Sequence, residues 1–362
     1  MSEPELREIY RAEQLPVLQN KVFESAEAAR ACARGDVVLV QSNETGLIFN
    51  RAFRPELVAY DADYQNEQGL SAAFARHLDA VLAVMQRHFA GASLIEVGCG
   101  KGLFLERLLA QGFDVTGLDP TYEGSNPRVL RRFFTPELQL RAEGLVLRHV
   151  LEHVADPVAF LAMLREANGG RGRIYIEVPC LDWIATHHAW FDIFYEHVNY
   201  FRLADFERMF GTVHEAGRSF AGQYLYVVAD LATLRDPRRA PGDEFRLPAG
   251  FLSAIDDSRA RLAAKGPDAP RAIWGGSSKG VIFALFMERA GVAIDRVIDI
   301  NPAKQGRHLA ATGLRMQSPD EAMAQLPEGA DVFVMNSNYL DEIEALTRHR
   351  FHCITIERGE GA

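Results

Sequence analysis

The chain has 362 residues, 48% hydrophobic and 24% charged, with a formal net charge of -10. That composition fits an ordinary soluble globular protein with room for roughly two to three domains. The negative balance argues against nucleic acid as a partner, because phosphate backbones are gripped by basic faces. No apolar run approaches the roughly 20 residues of a membrane-spanning helix. The opening MSEPELREIY is acidic and lacks the regions of a secretory signal, so a cytoplasmic protein is expected.

Residues 1–65 read as a small leading unit, with strands at 36–41 and 46–50 around a Ser-Asn-Glu-Thr turn. Tyr60 and Tyr64 follow in YDADYQNEQGLS, and the spacing over 71–89 predicts a helix. Residues 66–235 alternate, with strands at 93–98, 114–118, 144–149 and 172–178 and helices at 103–111 and 156–167. This alternation predicts a doubly wound, Rossmann-like parallel sheet that binds ligands at its strand C-termini. Residues 180–217 are dense in aromatics and histidines, and 218–231 suggest a late strand pair. Residues 232–248, with three prolines, read as a linker. A helix is expected at 249–264. From 271 the strand-turn-helix pattern restarts, so 236–362 predict a second, smaller Rossmann-like α/β unit. The scattered Cys32, Cys99, Cys180 and Cys353 form no Cys-x-x-Cys pair, so free thiols and no metal are expected.

The most informative stretch is Ser93 to Gly102, SLIEVGCGKG. A buried strand ends in Gly98-Cys99-Gly100-Lys101-Gly102, and a helix follows. Such a turn offers free backbone N–H groups, and glycine keeps the approach open. Glu96 precedes the turn. Asp119 ends the next strand, where an acid can accept both hydroxyls of a ribose. The Gly-x-Gly-x-Gly spacing is not that of dinucleotide folds. These residues resemble the first motif and acidic loop of class I S-adenosyl-L-methionine (SAM) methyltransferases. The resemblance implies SAM as cofactor, with Glu96, Gly98, Gly100, Gly102 and Asp119 around it. Arg148 and His149 fall on the same edge. Arg148 could meet a diphosphate or simply form an ion pair.

Tyr195-Glu196-His197 follows the fourth strand of this alternation. A well-placed histidine can remove a proton near neutral pH, and a neighbouring carboxylate can assist it. Methyl transfer to carbon needs such a base; transfer to oxygen or nitrogen needs less help. A hydrogen-bonded structural histidine is the alternative. His149 and His153 flank Glu152 at a spacing that could bind metal on a helix, but RHVLEHVADP reads better as a strand-to-helix junction.

Four stretches together resemble the nucleotide-sugar C-methyltransferases, which methylate deoxy-keto-sugars carried on a nucleoside diphosphate. They are YQNEQGLSAAF, EVGCGKG with GLDP, YEHVNYF, and the C-terminal set GGSSKG, DINPAKQG and MNSNYLDEI. The resemblance implies that His197 is the general base, assisted by Glu196, with Tyr64 nearby. It implies a substrate lined by Tyr195, Tyr200 and the segment Gly222-Gln223-Tyr224, with Lys279 holding a phosphate or merely capping a helix. Small-molecule substrate, no nucleic acid, no membrane, and a monomer or homodimer complete the expectation. The leading unit lacks the family's four zinc-binding cysteines, and DPTYEGSNPRVLRRFF after Asp119 could form a lid. Asp299 could read a second ribose, although the glycine spacing there is wrong for a dinucleotide. Trp183 and Trp190 could line the cleft or pack the core.

Overall fold

In the computed structural model, which describes residues 5–60, 63–65, 67, 69–264, 266 and 269–358, the leading region is built on an antiparallel sheet. It contains β1 (Leu6–Pro16), β2 (Val22–Phe23), α1 (Ala26–Arg30), β3 (Arg34–Ser42) and β4 (Ile48–Asn50). The long strand β1 gives no clean alternation in sequence, because two register shifts break its pairing with β3. Residues 61, 62, 66 and 68 of the YDADYQNEQGLS segment lie outside the described residues.

The middle region opens with α2 (Ala72–Phe89), whose N-terminus is capped by the Ser71 hydroxyl. Then come β5 (Ser93–Val97), α3 (Leu103–Ala110), β6 (Asp114–Leu118), β7 (Val129–Leu130), β8 (Gly144–Arg148), α4 (Pro157–Ala167) and β9 (Arg173–Pro179). After α5 (Leu181–Thr186), β10 (Asn199–Tyr200) and α6 (Leu203–Met209) the chain forms the hairpin β11 (Val213–Ser219) and β12 (Tyr224–Asp230). The late strand pair therefore begins at Val213, five residues before the position expected. The seven-stranded sheet runs β11-β12-β9-β8-β5-β6-β7. Strands β5 to β9 pair in parallel, and β12 lies antiparallel to β9. This is the class I SAM methyltransferase fold. The stretch after Asp119 forms no lid: it turns back and adds β7 to the sheet edge. Strand β10 leaves this region altogether and pairs with β4 of the leading sheet.

The last region contains α7 (Ser253–Ala263), β13 (Ala272–Trp274), α8 (Ser278–Arg289), β14 (Arg296–Ile298), β15 (His308–Leu309), β16 (Met316–Gln317), α9 (Pro319–Gln325), β17 (Asp331–Val334), α10 (Leu340–Leu346) and β18 (His352–Thr355). Its five-stranded sheet runs β16-β14-β13-β17-β18, all parallel. The leading region also binds this unit directly. Strand β15 pairs with β2. Arg289 donates to the Glu13 and Gln14 carbonyls at 2.9 and 2.8 Å, and Arg307 pairs with Glu24 and Asp63. No helix of the described residues is long and apolar enough to cross a membrane.

Residues 232–248 carry little regular structure but are not a free linker. Gln41 on β3 accepts from the Phe245 N–H and donates to the Asp243 carbonyl. The Asp243 carboxylate joins Arg202 and Arg208, each at 2.7 Å, and the same two guanidiniums meet the buried Asp205. The segment is thus a strap laid over the leading sheet. Asp243→Ala leaves two largely buried guanidiniums sharing one carboxylate. We expect a loss of roughly 2 kcal/mol, the worth of a charged hydrogen bond, read as a lower urea midpoint. An unchanged midpoint would mean that the strap adds nothing to stability.

Candidate active site

Both α/β sheets present the C-termini of their parallel strands to one cavity of about 420 Å³. Gly98, Gly100, Arg148, His149 and Pro179 line it from the seven-stranded sheet, and Trp274, Gly275, Asp299 and Met335 from the five-stranded one. Tyr64, Glu96, Glu196, His197, Tyr224 and Lys279 complete the expected residues found there.

The glycine turn is shaped by conformation and by space. Gly98, Gly100 and Gly102 all have positive φ, at 72°, 54° and 81°. A Cβ on Gly98 would lie 2.5 Å from Val150, whereas one on Gly100 meets nothing within 4 Å. Gly102 starts α3 and lies over Tyr122, away from the cavity lining. Asp119 also lies outside the lining. Its Oδ2 accepts the Gly100 N–H at 2.8 Å, and its Oδ1 accepts the N–H and hydroxyl of Thr121. It braces the turn. Glu96 is buried, its Oε2 has no partner, and burial pushes its carboxyl up to about 8. An open glycine cradle beside an orphaned buried carboxyl is a fitting seat for a polar, amine-bearing cofactor.

At the end of β8, Arg148 pairs with the fully buried Glu177 at 2.7 Å and lies over the Phe104 ring. Its role is the ion pair. His149 has φ 51°, and its two nitrogens reach Glu152 at 3.3 Å and Glu177 at 3.2 Å. Burial works against its charge, but the two carboxylates outweigh burial and hold its pKa at about 9.

Glu196 and His197 enter from the loop before β10. Glu196 Oε2 accepts the Gln19 N–H at 3.0 Å, and burial raises its carboxyl pKa. Tyr60 and Tyr64 stand beside it, their rings edge-on at 4.8 Å. His197 is 9% exposed, packs on Phe194, and leaves its Nδ1 without a partner. Burial, aided by His153 and His149, drives its pKa well below the usual value, so the imidazole is neutral at neutral pH. His153 directs Nδ1 at the Glu196 carbonyl, 2.9 Å away. The stretch is the strand-to-helix junction that its sequence suggests, running from the end of β8 to α4, and His149 lies outside the short turn that carries His153. Glu152, His153 and His197 bring ligand-type atoms within 4.8 Å of one another.

Four expected substrate contacts lie elsewhere. The Tyr195 hydroxyl bonds the backbone of Arg54, and its ring fills space left by Gly35, where a Cβ would lie 2.2 Å away. The Tyr200 hydroxyl bonds the backbone of Phe194. Both are core residues. Gly222 turns at φ 84° beside Trp183. Gln223 exchanges amide hydrogen bonds with Asn336 at 2.9 and 3.0 Å, tying the two α/β units together. Tyr224 remains at the cavity, edge-on to His149 at 4.5 Å. Trp190 stacks on Phe283 in the core. Asn20, Asn301 and Lys304 also line the cavity. Nothing in their sequence setting separates them from surface polar residues.

Residues 58–217 match the family model described as "Methyltransferase domain". The middle of the chain thus resembles a methyltransferase domain, over somewhat less than half of the whole chain. Domains of this kind use SAM, and the glycine cradle beside Glu96 is the candidate seat for it. The ubiquinone biosynthesis O-methyltransferase of Cereibacter sphaeroides is 38% identical over 119 residues, covering 29% of this chain and 45% of that protein. The tRNA U34 carboxymethyltransferase of Dichelobacter nodosus is 31% identical over 144 residues, covering 33% and 45%. The chain therefore spans under half the length of these relatives. Among solved structures, the Burkholderia thailandensis 1,6-didemethyltoxoflavin-N1-methyltransferase aligns at TM-score 0.34 and 20% identity, over 44% of this chain and 78% of that one.

The raised pKa of His149 has a stability consequence. A histidine held above its ordinary 6.5 contributes fully below that pH and loses its contribution as pH rises through about 9. The melting-temperature gap between wild type and His149→Gln should therefore be widest near pH 6 and narrow by about pH 9.5. A gap that stays constant over that range would show that the two carboxylates do not hold the charge.

Proposed function

We propose that the protein is a SAM-dependent methyltransferase that methylates a carbon beside the ketone of a nucleotide-linked keto-sugar, with His197 as general base. The observation that carries this reading is His197 itself. It is a neutral, buried imidazole with a free nitrogen, in one cavity with the glycine cradle and the second α/β unit. Gly98 and Gly100 would hold SAM, with Glu96 beside them and Asp119 bracing the turn from outside the lining. SAM, when bound, supplies a methyl group on a positively charged sulfur. His197 takes the proton from the carbon next to the ketone, leaving that carbon electron-rich. His153 and the positive His149 keep the imidazole neutral until then. Glu196 and Tyr64 orient the sugar hydroxyls. Burial excludes water that would quench the carbanion.

The C. sphaeroides relatives are O-methyltransferases, which favours oxygen as a second acceptor atom. One assay separates the two. The protein is given methyl-deuterated SAM and a panel of nucleotide-keto-sugars in heavy water, with and without a chelator, and products are resolved by mass. The expected outcome is a trideuteromethyl group on carbon, with solvent deuterium exchange next to the ketone, both unaffected by chelator. His197→Ala should lower turnover by about 10²–10⁴-fold, the range of a general base. A labelled methyl ether, with turnover kept in His197→Ala, would move the assignment to oxygen. Gly100→Val, which fills the open cradle, should weaken SAM binding at least tenfold by calorimetry.

A further inference from the structure

One buried cation in the cavity has no part in that proton transfer. Lys304, on the loop after β14, is 1% exposed. Lysine is almost never so buried without a charge partner. Its ammonium carries three donors. Among the described residues one bonds the Ser277 hydroxyl, and the nearest carboxylate, Asp299, is 4.0 Å away. That carboxylate is already engaged: its oxygens accept the N–H groups of Gly276 and Asn301, each at 2.8 Å. Asn301 is 5% exposed, lines the same cavity, and its Nδ2 donor has no partner. Beside them begins the twelve-residue helix α8, with no side-chain cap; the Ser277 hydroxyl serves Lys304 instead. The first N–H groups of a helix have no intrahelical acceptor and favour an anion. This wall of the cavity is thus a set of donors short of acceptors.

We propose that Lys304, Asn301, Ser277 and the N-terminus of α8 form a phosphoryl-binding subsite, which holds the diphosphate of the acceptor. The nature of the acceptor rests on the proposed methyl transfer; the phosphoryl subsite does not. Lys279, which the sequence leaves open as a phosphate lysine or a helix cap, is already committed. Its ammonium pairs with Asp192 at 3.2 Å and Gln223 at 3.1 Å and lies over the Trp183 ring. It ties the two α/β units, and Lys304 is left to meet the ligand.

The test titrates the full-length protein with inorganic phosphate, inorganic pyrophosphate and a nucleoside diphosphate, by calorimetry and by fluorescence of the cavity-lining Trp274. Pyrophosphate and the nucleoside diphosphate should both bind, and more tightly than phosphate. Tight binding of phosphate alone would overturn the diphosphate assignment. Lys304→Met should weaken pyrophosphate at least tenfold and leave SAM affinity within twofold. Because a buried lysine can matter for folding, Ser278→Asp is the second variant. An acid in the first helical turn suits the helix dipole, so this variant should fold, bind SAM, and repel pyrophosphate by tenfold or more. No pyrophosphate binding at millimolar concentration, or wild-type binding by Ser278→Asp, would overturn the subsite. Methyl transfer failing while pyrophosphate binding is intact would sink the methyltransferase reading of the acceptor and leave the subsite standing.

Discussion

A single fully buried carboxylate, Glu177, holds the acceptor side of the cavity in place. Its oxygens meet Arg148, His149, His77 and the Tyr175 hydroxyl, all within 3.2 Å. Burial opposes its charge, but Arg148 and the two histidines outweigh burial and keep it ionised well below the usual carboxylate range. Those partners come from α2, from the end of β8 and from β9 itself, so one charge fixes the relation between a helix and two adjacent strands. His149 passes the constraint on to Glu152, which shares the space of His153 and His197. Removing one member of such a network leaves a buried charge uncompensated. His197, proposed as base, thus stands at the end of a chain of contacts that begins at Glu177.

The two α/β units repeat one small device. In each, the acid ending the second strand accepts an N–H from the glycine turn with one oxygen and the N–H two residues onward with the other. Asp119 does so with Gly100 and Thr121, and Asp299 with Gly276 and Asn301. The space around the two braced turns differs. In the first unit a Cβ on Gly100 would project into open space. In the second, one on Gly276 would strike Met316 at 2.6 Å, and one on Gly280 would lie 1.8 Å from the Gly275 carbonyl. The second turn is packed shut against its own helix. It has no comparable opening for a cofactor backbone, and its free donors are gathered at the helix start around Lys304.

The fold and half of the site are legible in the sequence wherever local chemistry and periodicity agree. The strand at 114–118 coincides with its expected limits, and the glycine turn, Glu96 and Asp119 lie together as their spacing implies. The features that escape a sequence reading are non-local. Strand β1 alternates poorly because bulges shift its register, and β10 is two residues long and pairs about 150 residues away. Tyr195 and Tyr200 carry no mark that distinguishes a cleft aromatic from a core one. Gly35, on another strand, decides the matter for Tyr195 by leaving room for its ring. Lys279 misleads for a similar reason. It sits in a suggestive glycine-serine turn, but the partners that occupy it, Asp192 and Gln223, lie 87 and 56 residues away.

The charge states around the cavity point the same way as its donors. Burial keeps Glu96 neutral up to about pH 8 and raises Glu196, while carboxylates keep His149 positive up to about 9. Two acids are shifted toward neutrality and His149 is held positive, while burial also lowers the pKa of Lys304. In a chain whose formal net charge is -10, burial and pairing thus soften the acidity of this lining. The proposed phosphoryl subsite sets the anchoring charge at Lys304, on the wall built by the second α/β unit. In the proposed reaction, separating the anchoring charge from the reacting atom would let binding energy position the acceptor without altering the base.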